Sequence, residues 1–344
     1  MSDFDGPNTG LRIGLLGAAR ISADAIVGPA SRTGQRLVVV AARDAARAEA
    51  FAQQHGVERV AQTYDDVIAD PEVDLVYNPL ANSLHAPWNI KALRAGKHVL
   101  SEKPFAANGA EALRVVEVAR ESSGTVMEAF HYACHPAMRR VVEIVESGEI
   151  GTIRHVDSTM VIPAPGDDDP RWSLELAGGA LMDLGCYSLH AIRTFGASAG
   201  GEPQVVSARG MSRVGHPGVD EWVHAELAYP GGATARSFTH MAGPDVTMRL
   251  TIIGSAGTIE VHNFVLPQID DRIDVITQDG RRTETPGSRA SYDYQLEAVA
   301  SAIADGTPMP LDLDDAIATA DLVDAVYVAA GFAPRPSSLD GQED

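Results

Sequence analysis

Apolar runs and segments with helical spacing alternate along roughly the first 130 residues of the chain. The run RLVVVAA at 36–42 is typical of a strand that is buried on both faces of a parallel sheet. The pattern predicts strands at 11–17, 36–42, around Val60, 74–78, 98–100 and 125–129, with helices between them. This alternation predicts an α/β domain with a doubly wound parallel sheet over residues 1–129.

The pattern changes after the turn at 148–151. Strand-like segments then follow one another, separated by short turns such as Pro230-Gly-Gly232. We expect these strands at 153–162, 204–211, 221–229, 233–241, 247–253, 257–262 and 269–278. A helical segment at 180–195 interrupts them, and helices at 292–304 and 314–330 follow. The prediction is an α+β domain with a mainly antiparallel sheet over 130–333, and a disordered tail at 334–344.

Composition narrows the classes of partner. The 344 residues carry 27 basic and 47 acidic side chains, a formal net charge of −20, which disfavours nucleic acid and anionic membranes. The two cysteines, Cys134 and Cys186, provide neither a disulfide framework nor the spacing of a metal site. The start of the chain does not resemble a signal peptide, and no apolar run is long enough for a membrane span. We expect a cytoplasmic protein that binds a small molecule.

The first strand ends in a tight turn that suits a pyrophosphate. Gly17 is followed by Ala18, Ala19, Arg20 and Ile21, and then by a helical pattern. A strand, a glycine turn and a helix start point backbone N–H groups at a phosphate. Ala19 and Ser22 stand where the usual dinucleotide fingerprint has its second and third glycines, and both are small enough for close approach. An ordinary strand-to-helix turn would give the same pattern.

The end of the second strand indicates which dinucleotide would bind. An NAD site usually has an acidic residue here to hold the ribose hydroxyls. This chain has Ala42 and then Arg43, with Arg47 one helical turn later. Two guanidinium groups suit a 2′-phosphate, which favours NADP over NAD. The alternative is that both arginines are solvated residues on a helix face.

Polar residues follow two further strands at the edge of the sheet where such folds bind ligands. Lys103 comes directly after the strand at 98–100, and Pro104 then restricts the backbone beside it. The strand at 74–78 leads into a loop at the same edge, and its candidate residues are Asn78, Pro79, Leu80, Asn82 and His85.

The interrupting helix carries two more candidates. Asp183 and Tyr187 lie four residues apart after the pair Gly178-Gly179, so both face the same side of a helix. An acid and a phenol in an apolar segment are unusual in a packed core. The alternative is a capping aspartate and a buried tyrosine that is bonded to the backbone.

Four of these motifs together resemble the Gfo/Idh/MocA family of oxidoreductases. They are GLLGAARIS, NPLANSLH, the sequence Ser101-Glu-Lys-Pro104 and GGALMDLGCY. The resemblance extends over about residues 11–330. It is closest to the branch of dimeric dihydrodiol dehydrogenase, NADP-dependent D-xylose dehydrogenase and glucose–fructose oxidoreductase.

The resemblance implies a Rossmann domain, a second domain with an open-faced sheet that forms a homodimer or larger homo-oligomer, and catalytic roles for Lys103, Asp183 and Tyr187. Many relatives have histidine at the position of Tyr187, and the tyrosine argues against an inositol-type dehydrogenase. Arg43 matches the arginine that this branch directs toward the NADP phosphate. We expect Glu102 to bond the cofactor ribose, while either Lys103 or Tyr187 carries the substrate proton.

The remaining candidates concern the substrate. His131, Tyr132, Arg171 and Trp172 are predicted to line its pocket, and no partner at usable spacing completes a metal site near His131. The predicted activity is NADP-dependent hydride transfer from an aldose, giving a lactone, or from a cyclic trans-diol. The alternatives are a keto-sugar reductase that uses NADPH and, from another class, a non-catalytic nucleotide or sugar sensor.

Overall fold

The first 129 residues include a six-stranded sheet whose strands are all parallel. The protein is described by a computed structural model, which covers residues 10–339. The strands run in the spatial order β3-β2-β1-β4-β5-β6. Their bounds are β1 Arg12–Leu16, β2 Arg36–Ala41, β3 Arg59–Val60, β4 Leu75–Asn78, β5 His98–Ser101 and β6 Val126–Glu128. This is the doubly wound arrangement that the hydrophobic pattern predicts, and its switch point lies between β1 and β4.

Helices cover both faces of this sheet. They are α1 Gly28–Thr33, α2 Ala45–His55, α3 Tyr64–Ala69, α4 His85–Arg94 and α5 Gly109–Glu121. One buried cluster includes Leu16, Val38 and Val76, and another includes Ile13, Val40 and Leu75, so alternate residues of the same strands face opposite layers. The strands read as continuous apolar runs because both faces are buried.

The second sheet has eight strands in the order β14-β13-β12-β11-β7-β10-β9-β8. Only β7 and β10 pair in parallel, so the sheet is mainly antiparallel, as predicted. Its strands are β7 Ile153–Val161, β8 Gln204–Ser212, β9 Asp220–Ala228, β10 Thr234–His240, β11 Thr247–Gly254, β12 Gly257–Val261, β13 Ile273–Thr277 and β14 Gly280–Glu284. The helices of this part are α6 Pro136–Glu146, α7 Cys186–Thr194, α8 Gly196–Ala199, α9 Ser291–Asp305 and α10 Leu313–Ala329.

One face of the second sheet packs against helices and the other is more open. Along β9 and β10, buried residues such as Val223, Ala225 and Ala235 alternate with residues that are partly exposed. The buried face contacts α7 and α10. This one-sided burial agrees with the open-faced sheet that the family resemblance implies.

The predicted disordered tail is wrong for residues 334–339. Arg335 is buried, and its Nε and Nη1 donate to the carbonyl oxygens of Gly178 and Gly218 at 2.7 and 3.0 Å. Its Nη2 pairs with the Asp220 carboxylate. The polar, proline-containing sequence suggested disorder, but a buried aspartate and free carbonyl groups give this arginine partners. Residues 340–344 lie outside the described part, and the predicted domain limits at 129 and 333 stay predictions.

Candidate active site

The turn after β1 requires a glycine. Gly17 has a φ of +94°, which L side chains rarely adopt, and a Cβ there would lie 3.1 Å from Leu80 Cδ2. The Gly17 N–H donates to the Ala41 carbonyl oxygen at 2.7 Å, which fixes the turn against β2. The helix behind it starts with a π-helical turn, Ala23–Val27, before α1. The backbone therefore stays open at the carboxyl edge of the sheet.

A cleft of about 360 Å³ lies beside this turn. The predicted residues that line it are Gly17, Ala18, Ala19, Arg43, Arg47, Pro79, Leu80, Asn82 and Arg171. Arg171, which the sequence predicts to contact substrate, also lines this cleft, and its contact with substrate stays a prediction. Arg20 and Ile21 are exposed at the start of the following helix. Their contact with a cofactor stays a prediction.

The guanidinium groups at the end of β2 are available to an anion. Arg43 and Arg47 are both exposed at the cleft, and Arg47 Nη2 donates to the Ala18 carbonyl oxygen at 3.0 Å. The neighbouring carboxylate of Asp44 accepts from the N–H groups of Ala46 and Arg47, so it caps α2. The Asp44 carboxylate is therefore directed at the helix start, and phosphate binding by Arg43 and Arg47 stays a prediction.

Three predicted cofactor residues lie beneath the cleft rather than in its wall. Asn78 Nδ2 donates to Asn89 Oδ1 at 2.8 Å, and Glu102 accepts from the Tyr77 hydroxyl at 2.8 Å. The ring nitrogens of His85 lie 2.7 Å from the Pro104 carbonyl oxygen and 2.9 Å from that of Leu80. These contacts hold the loops after β4 and β5 together. Direct contact with a cofactor stays a prediction for all three.

The structure brings Lys103, Asp183 and Tyr187 together, although 80 residues separate the first two. Lys103 Nζ donates to the backbone oxygen of Asp183 at 2.8 Å and to its Oδ1 at 3.1 Å. The same Nζ lies 5.0 Å from the centre of the Tyr187 ring. Arg171 Nη1 lies 3.5 Å from Asp183 Oδ2, so the cluster borders the cleft. The peptide bond between Lys103 and Pro104 is cis.

The charges of this cluster stabilise one another. Burial alone would lower the pKa of Lys103, but the carboxylates of Asp183 and Glu102 outweigh it, and the pKa is raised. Burial alone would raise the pKa of Asp183, but the positive charges of Lys103 and Arg171 outweigh it, and the pKa is lowered. Burial raises the pKa of the Tyr187 hydroxyl well above its usual value. The cluster therefore contains an ammonium, a carboxylate and a neutral phenol near neutral pH.

The phenol of Tyr187 has a partner on its far side. Its hydroxyl lies 3.2 Å from His131 Nε2, and His131 Nδ1 lies 2.7 Å from the Ser291 hydroxyl. Burial lowers the pKa of His131 to about 3. His131 was predicted to touch substrate, whereas the structure places it behind the tyrosine. Sequence reasoning missed Ser291, the first residue of α9, because no motif connects it to a segment 160 residues away.

The structure contradicts two of the predicted substrate residues. Tyr132 is fully buried, and its hydroxyl lies 2.5 Å from His190 Nδ1 in the core of the second domain. Trp172 is also buried, with only 1% of its surface exposed, and packs under Arg213. Both are large rings in apolar surroundings and serve as core residues. Tyr132 was suggested by its place after a strand end and Trp172 by its place before the helix with Asp183, and neither position distinguishes a pocket wall from a core.

Two other features lie away from this cluster. A larger cavity of about 1190 Å³ is at the amino edge of the first sheet, beside Gly10, Gln35 and Lys97. Ligands of such sheets bind at the carboxyl edge, so we assign the site there. Among residues 10–339 one group, Glu260, His262 and Asp274, brings metal-ligand atoms within 4.8 Å of one another.

The carboxylates of this group are already paired with a guanidinium of the protein, that of Arg281. Arg281 pairs with both Glu260 and Asp274, and His262 Nε2 lies 2.6 Å from Asp274 Oδ2. Glu260 lies on β12 and Asp274 on β13, both strands of the second sheet, and His262 directly follows β12.

None of the helices within residues 10–339 is both long and apolar enough to span a membrane.

Comparison with known families matches both parts of the chain. Residues 11–130 match the sequence model described as "Oxidoreductase family, NAD-binding Rossmann fold". Residues 138–260 match the "GFO/IDH/MocA C-terminal domain".

Several characterised proteins are similar over most of their length. D-xylose 1-dehydrogenase (NADP(+)) 2 of Haloferax volcanii is 33% identical, covering 93% of this chain and 97% of its own. Trans-1,2-dihydrobenzene-1,2-diol dehydrogenase of Mus musculus is 32% identical and covers 83% of each chain. The crystal structure of KijD10, a 3-ketoreductase from Actinomadura kijaniata in complex with NADP and TDP-benzene, superposes with a TM-score of 0.85 at 30% identity. That alignment covers 93% of this chain and 98% of KijD10.

Proposed function

The chain belongs to the Gfo/Idh/MocA family of oxidoreductases, and on that premise we propose that it transfers hydride between NADP and a hydroxyl-bearing carbon of a sugar or cyclic diol. The observation that carries this proposal is the meeting of Lys103, Asp183 and Tyr187 at the border of the cofactor cleft. An ammonium and a phenol at one point can hold or release the proton of a substrate oxygen. A carboxylate beside them can orient the substrate hydroxyl.

The choice of NADP rests on two kinds of support. Arg43 and Arg47 are exposed at the cleft, and Asp44 is committed to capping α2. The xylose dehydrogenase of Haloferax volcanii is named for NADP, and the KijD10 structure contains it. The residues fit a dinucleotide because Gly17 carries no side chain at the cleft, where a Cβ would lie 3.1 Å from Leu80 Cδ2.

Each residue of the cluster has a separate role in the proposed reaction. A bound nicotinamide accepts or supplies the hydride. Asp183 holds the Lys103 ammonium in place, and Lys103 stabilises negative charge that develops on the substrate oxygen. Tyr187 or Lys103 exchanges a proton with the same oxygen.

Keto-sugar reduction is a second candidate, favoured by the protonation of the cluster. The pKa values of Lys103 and Tyr187 are both raised, so both groups hold protons near neutral pH. That is the state needed to protonate a carbonyl oxygen that receives hydride. The dTDP-3,4-didehydro-2,6-dideoxy-alpha-D-glucose 3-reductase of Actinomadura kijaniata, 30% identical over 93% of this chain, is named for such a reaction.

A substrate panel run in both directions tests the proposal. Nicotinamide absorbance would be followed with NADP⁺ and NAD⁺ against aldoses, inositols and a cyclic trans-diol, and with NADPH against keto-sugars and nucleotide-linked keto-sugars. Turnover with the NADP form on any sugar or diol supports the proposal. Turnover only with NAD would contradict the cofactor assignment. NADPH binding without turnover of any substrate would favour the sensor.

Association through the open face of the second sheet and a cytoplasmic location stay predictions.

A further inference from the structure

A line of hydrogen bonds leads away from the catalytic tyrosine through the interior of the second domain. The Tyr187 hydroxyl is 3.2 Å from His131 Nε2, and His131 Nδ1 is 2.7 Å from the Ser291 hydroxyl. Ser291 Oγ donates to Gln268 Oε1 at 3.3 Å. Tyr187, His131 and Ser291 are buried, whereas Gln268 is partly exposed on the loop between β12 and β13. The line therefore runs from the catalytic cluster to the surface.

The donors and acceptors along this line have one consistent direction. Gln268 Oε1 can only accept, so the Ser291 hydroxyl donates to it. Ser291 Oγ then accepts from the Nδ1–H of His131, and the unprotonated Nε2 accepts from the Tyr187 hydroxyl. His131 and Ser291 each donate once and accept once, between the donor Tyr187 and the acceptor Gln268. A neutral imidazole in the Nδ1–H tautomer satisfies both contacts of the ring.

We propose that His131 and Ser291 form a proton relay between Tyr187 and solvent near Gln268. The proposal rests on the function proposed above. In the oxidative direction the substrate O–H bond breaks as its proton moves to Tyr187 Oη. The proton of Tyr187 moves to His131 Nε2, that of His131 Nδ1 moves to Ser291 Oγ, and that of Ser291 passes to a water that enters beside the partly exposed Gln268, because Ser291 itself is buried and an amide oxygen does not pass a proton on. The electron pair of the breaking C–H bond leaves as hydride to the nicotinamide. Reduction reverses each transfer.

The surroundings of His131 favour a ring that passes a proton on over one that stays protonated. The titratable groups that face it are Lys103 at the end of β5, His135 on its own segment, Tyr187 on α7 and Tyr292 on α9. Burial, followed by the positive charges of Lys103 and His135, lowers its pKa to about 3. Because the imidazolium form is disfavoured, arrival of one proton at Nε2 causes the ring to lose the other proton from Nδ1.

Tyr292 and Ser291 fix the orientation of the ring. The Tyr292 ring centre lies 3.9 Å from that of His131, and the planes are inclined by 32°. This contact and the Ser291 hydroxyl both come from the start of α9, so one element holds the imidazole from two sides. His131 acts through Tyr187 and is a positioning residue of the reaction, not a group that touches the substrate.

Substitution of the two relay residues gives the first test. Ser291→Ala removes the acceptor of Nδ1, and His131→Gln keeps one polar group opposite Tyr187 but cannot pass a proton through. We expect kcat to fall about tenfold or more in each, with KM within about twofold of wild type. The solvent deuterium isotope effect on kcat should rise. Imidazole added to His131→Ala should restore part of the rate.

The matched control is His190→Gln. His190 is also a buried histidine bonded to a tyrosine, with Nδ1 2.5 Å from the Tyr132 hydroxyl and Nε2 3.0 Å from Asp315 Oδ2. It lies outside the relay, so this variant should lose thermal stability while kcat and its solvent isotope effect are unchanged. Equal isotope effects in wild type, His131→Gln and Ser291→Ala, with the wild type active, would overturn the relay. A wild type inactive on the whole panel would contradict the proposed function instead.

A second measurement needs no turnover. Among the 11 histidines, the ¹⁵N signals of His131 would be assigned in the full chain by their loss in His131→Gln. The relay requires a neutral ring, protonated at Nδ1 and unprotonated at Nε2, from about pH 5 to pH 8. The opposite tautomer, or titration of this ring within that range, would overturn the proposal even if the variants fail to fold.

Discussion

At the scale of single residues, the proposed preference for NADP rests on two exposed side chains that line the cleft. Arg43 and Arg47 are exposed at the cleft, and the only hydrogen bond that the Arg47 guanidinium makes among the described residues is to the Ala18 carbonyl oxygen. An exposed guanidinium beside a nucleotide cleft gains a charge-assisted contact if a phosphate is present. It gains little from a ribose hydroxyl.

Replacing Arg43 by alanine should therefore weaken NADP binding selectively. We expect the Kd for NADPH to rise about 10- to 100-fold, from the loss of one charge-assisted contact of about 1.5–3 kcal/mol. The Kd for NADH should change less than about threefold and serves as the internal control. Titration by nicotinamide fluorescence measures both constants. An equal loss for the two cofactors would contradict the role of this arginine.

The pair of Lys103 and Asp183 also contributes to stability. The pKa of Asp183 is lowered in the fold, so its contribution is present above the unfolded value of about 4 and is lost as pH falls through the folded value. The pKa of Lys103 is raised, so its contribution is present below the unfolded value of about 10.5 and is lost as pH rises through the folded value.

Asp183→Asn should lower the free energy of unfolding by about 3 kcal/mol between pH 5 and pH 9, because Lys103 keeps its charge without a carboxylate. The difference from wild type should shrink below about pH 4, where Asp183 becomes protonated in the unfolded chain while its lowered pKa keeps it ionised in the fold. Urea unfolding at several pH values measures it. A difference that grows as the pH is lowered would show that the pair does not stabilise the fold.

At the scale of elements, the strand–turn–helix unit at Gly17 is the best-determined part of the site. The apolar run of β1, the glycine turn and the helix after it could all be predicted from the sequence. The π-helical turns at 23–27 and 181–185 could not, because they change hydrogen bonding without changing the hydrophobic pattern. Strand β14 was also missed, since Gly280–Glu284 carries charged residues on both faces of an exposed edge.

Gly17→Ala and Gly34→Ala form a matched pair at this scale. Both glycines have positive φ, +94° and +76°, so each substitution should lower stability by about 1–2 kcal/mol. A Cβ at Gly17 also meets Leu80, whereas one at Gly34, at the opposite edge, meets nothing within 4 Å. NADPH affinity should fall at least tenfold in Gly17→Ala alone. Equal affinities in the two variants would argue against a cofactor at this turn.

At the scale of the whole molecule, distant parts of the chain support the start of the helical segment that carries Asp183 and Tyr187. Asp220 accepts from the Leu181 N–H at 2.7 Å and from the Tyr327 hydroxyl at 2.9 Å, and it pairs with Arg335. These contacts join the segment after α10 to the residues just before Asp183. No sequence pattern predicts these contacts, because each partner of Asp220 lies at least 39 residues from it along the chain.

Arg335→Met should lower the free energy of unfolding by about 3–5 kcal/mol, because it leaves the Asp220 carboxylate buried without its cation. Adding Asp220→Asn should recover part of that loss, since the charge is then gone and an amide oxygen can still accept from Leu181. Thermal or urea unfolding of the three variants measures this. A double variant less stable than Arg335→Met would contradict the account.

The central claim is that Lys103 carries out chemistry at the carboxyl edge of the first sheet. Lys97 provides a matched control, because it lies just before β5 at the opposite edge and donates to the carbonyl oxygens of Asp70 and Val73. The most direct measurement is nicotinamide turnover by wild type, Lys103→Met and Lys97→Met on the best substrate of the panel. We predict a fall in kcat of at least about 10²-fold for Lys103→Met alone, with NADPH still bound. Full turnover by Lys103→Met would contradict the claim.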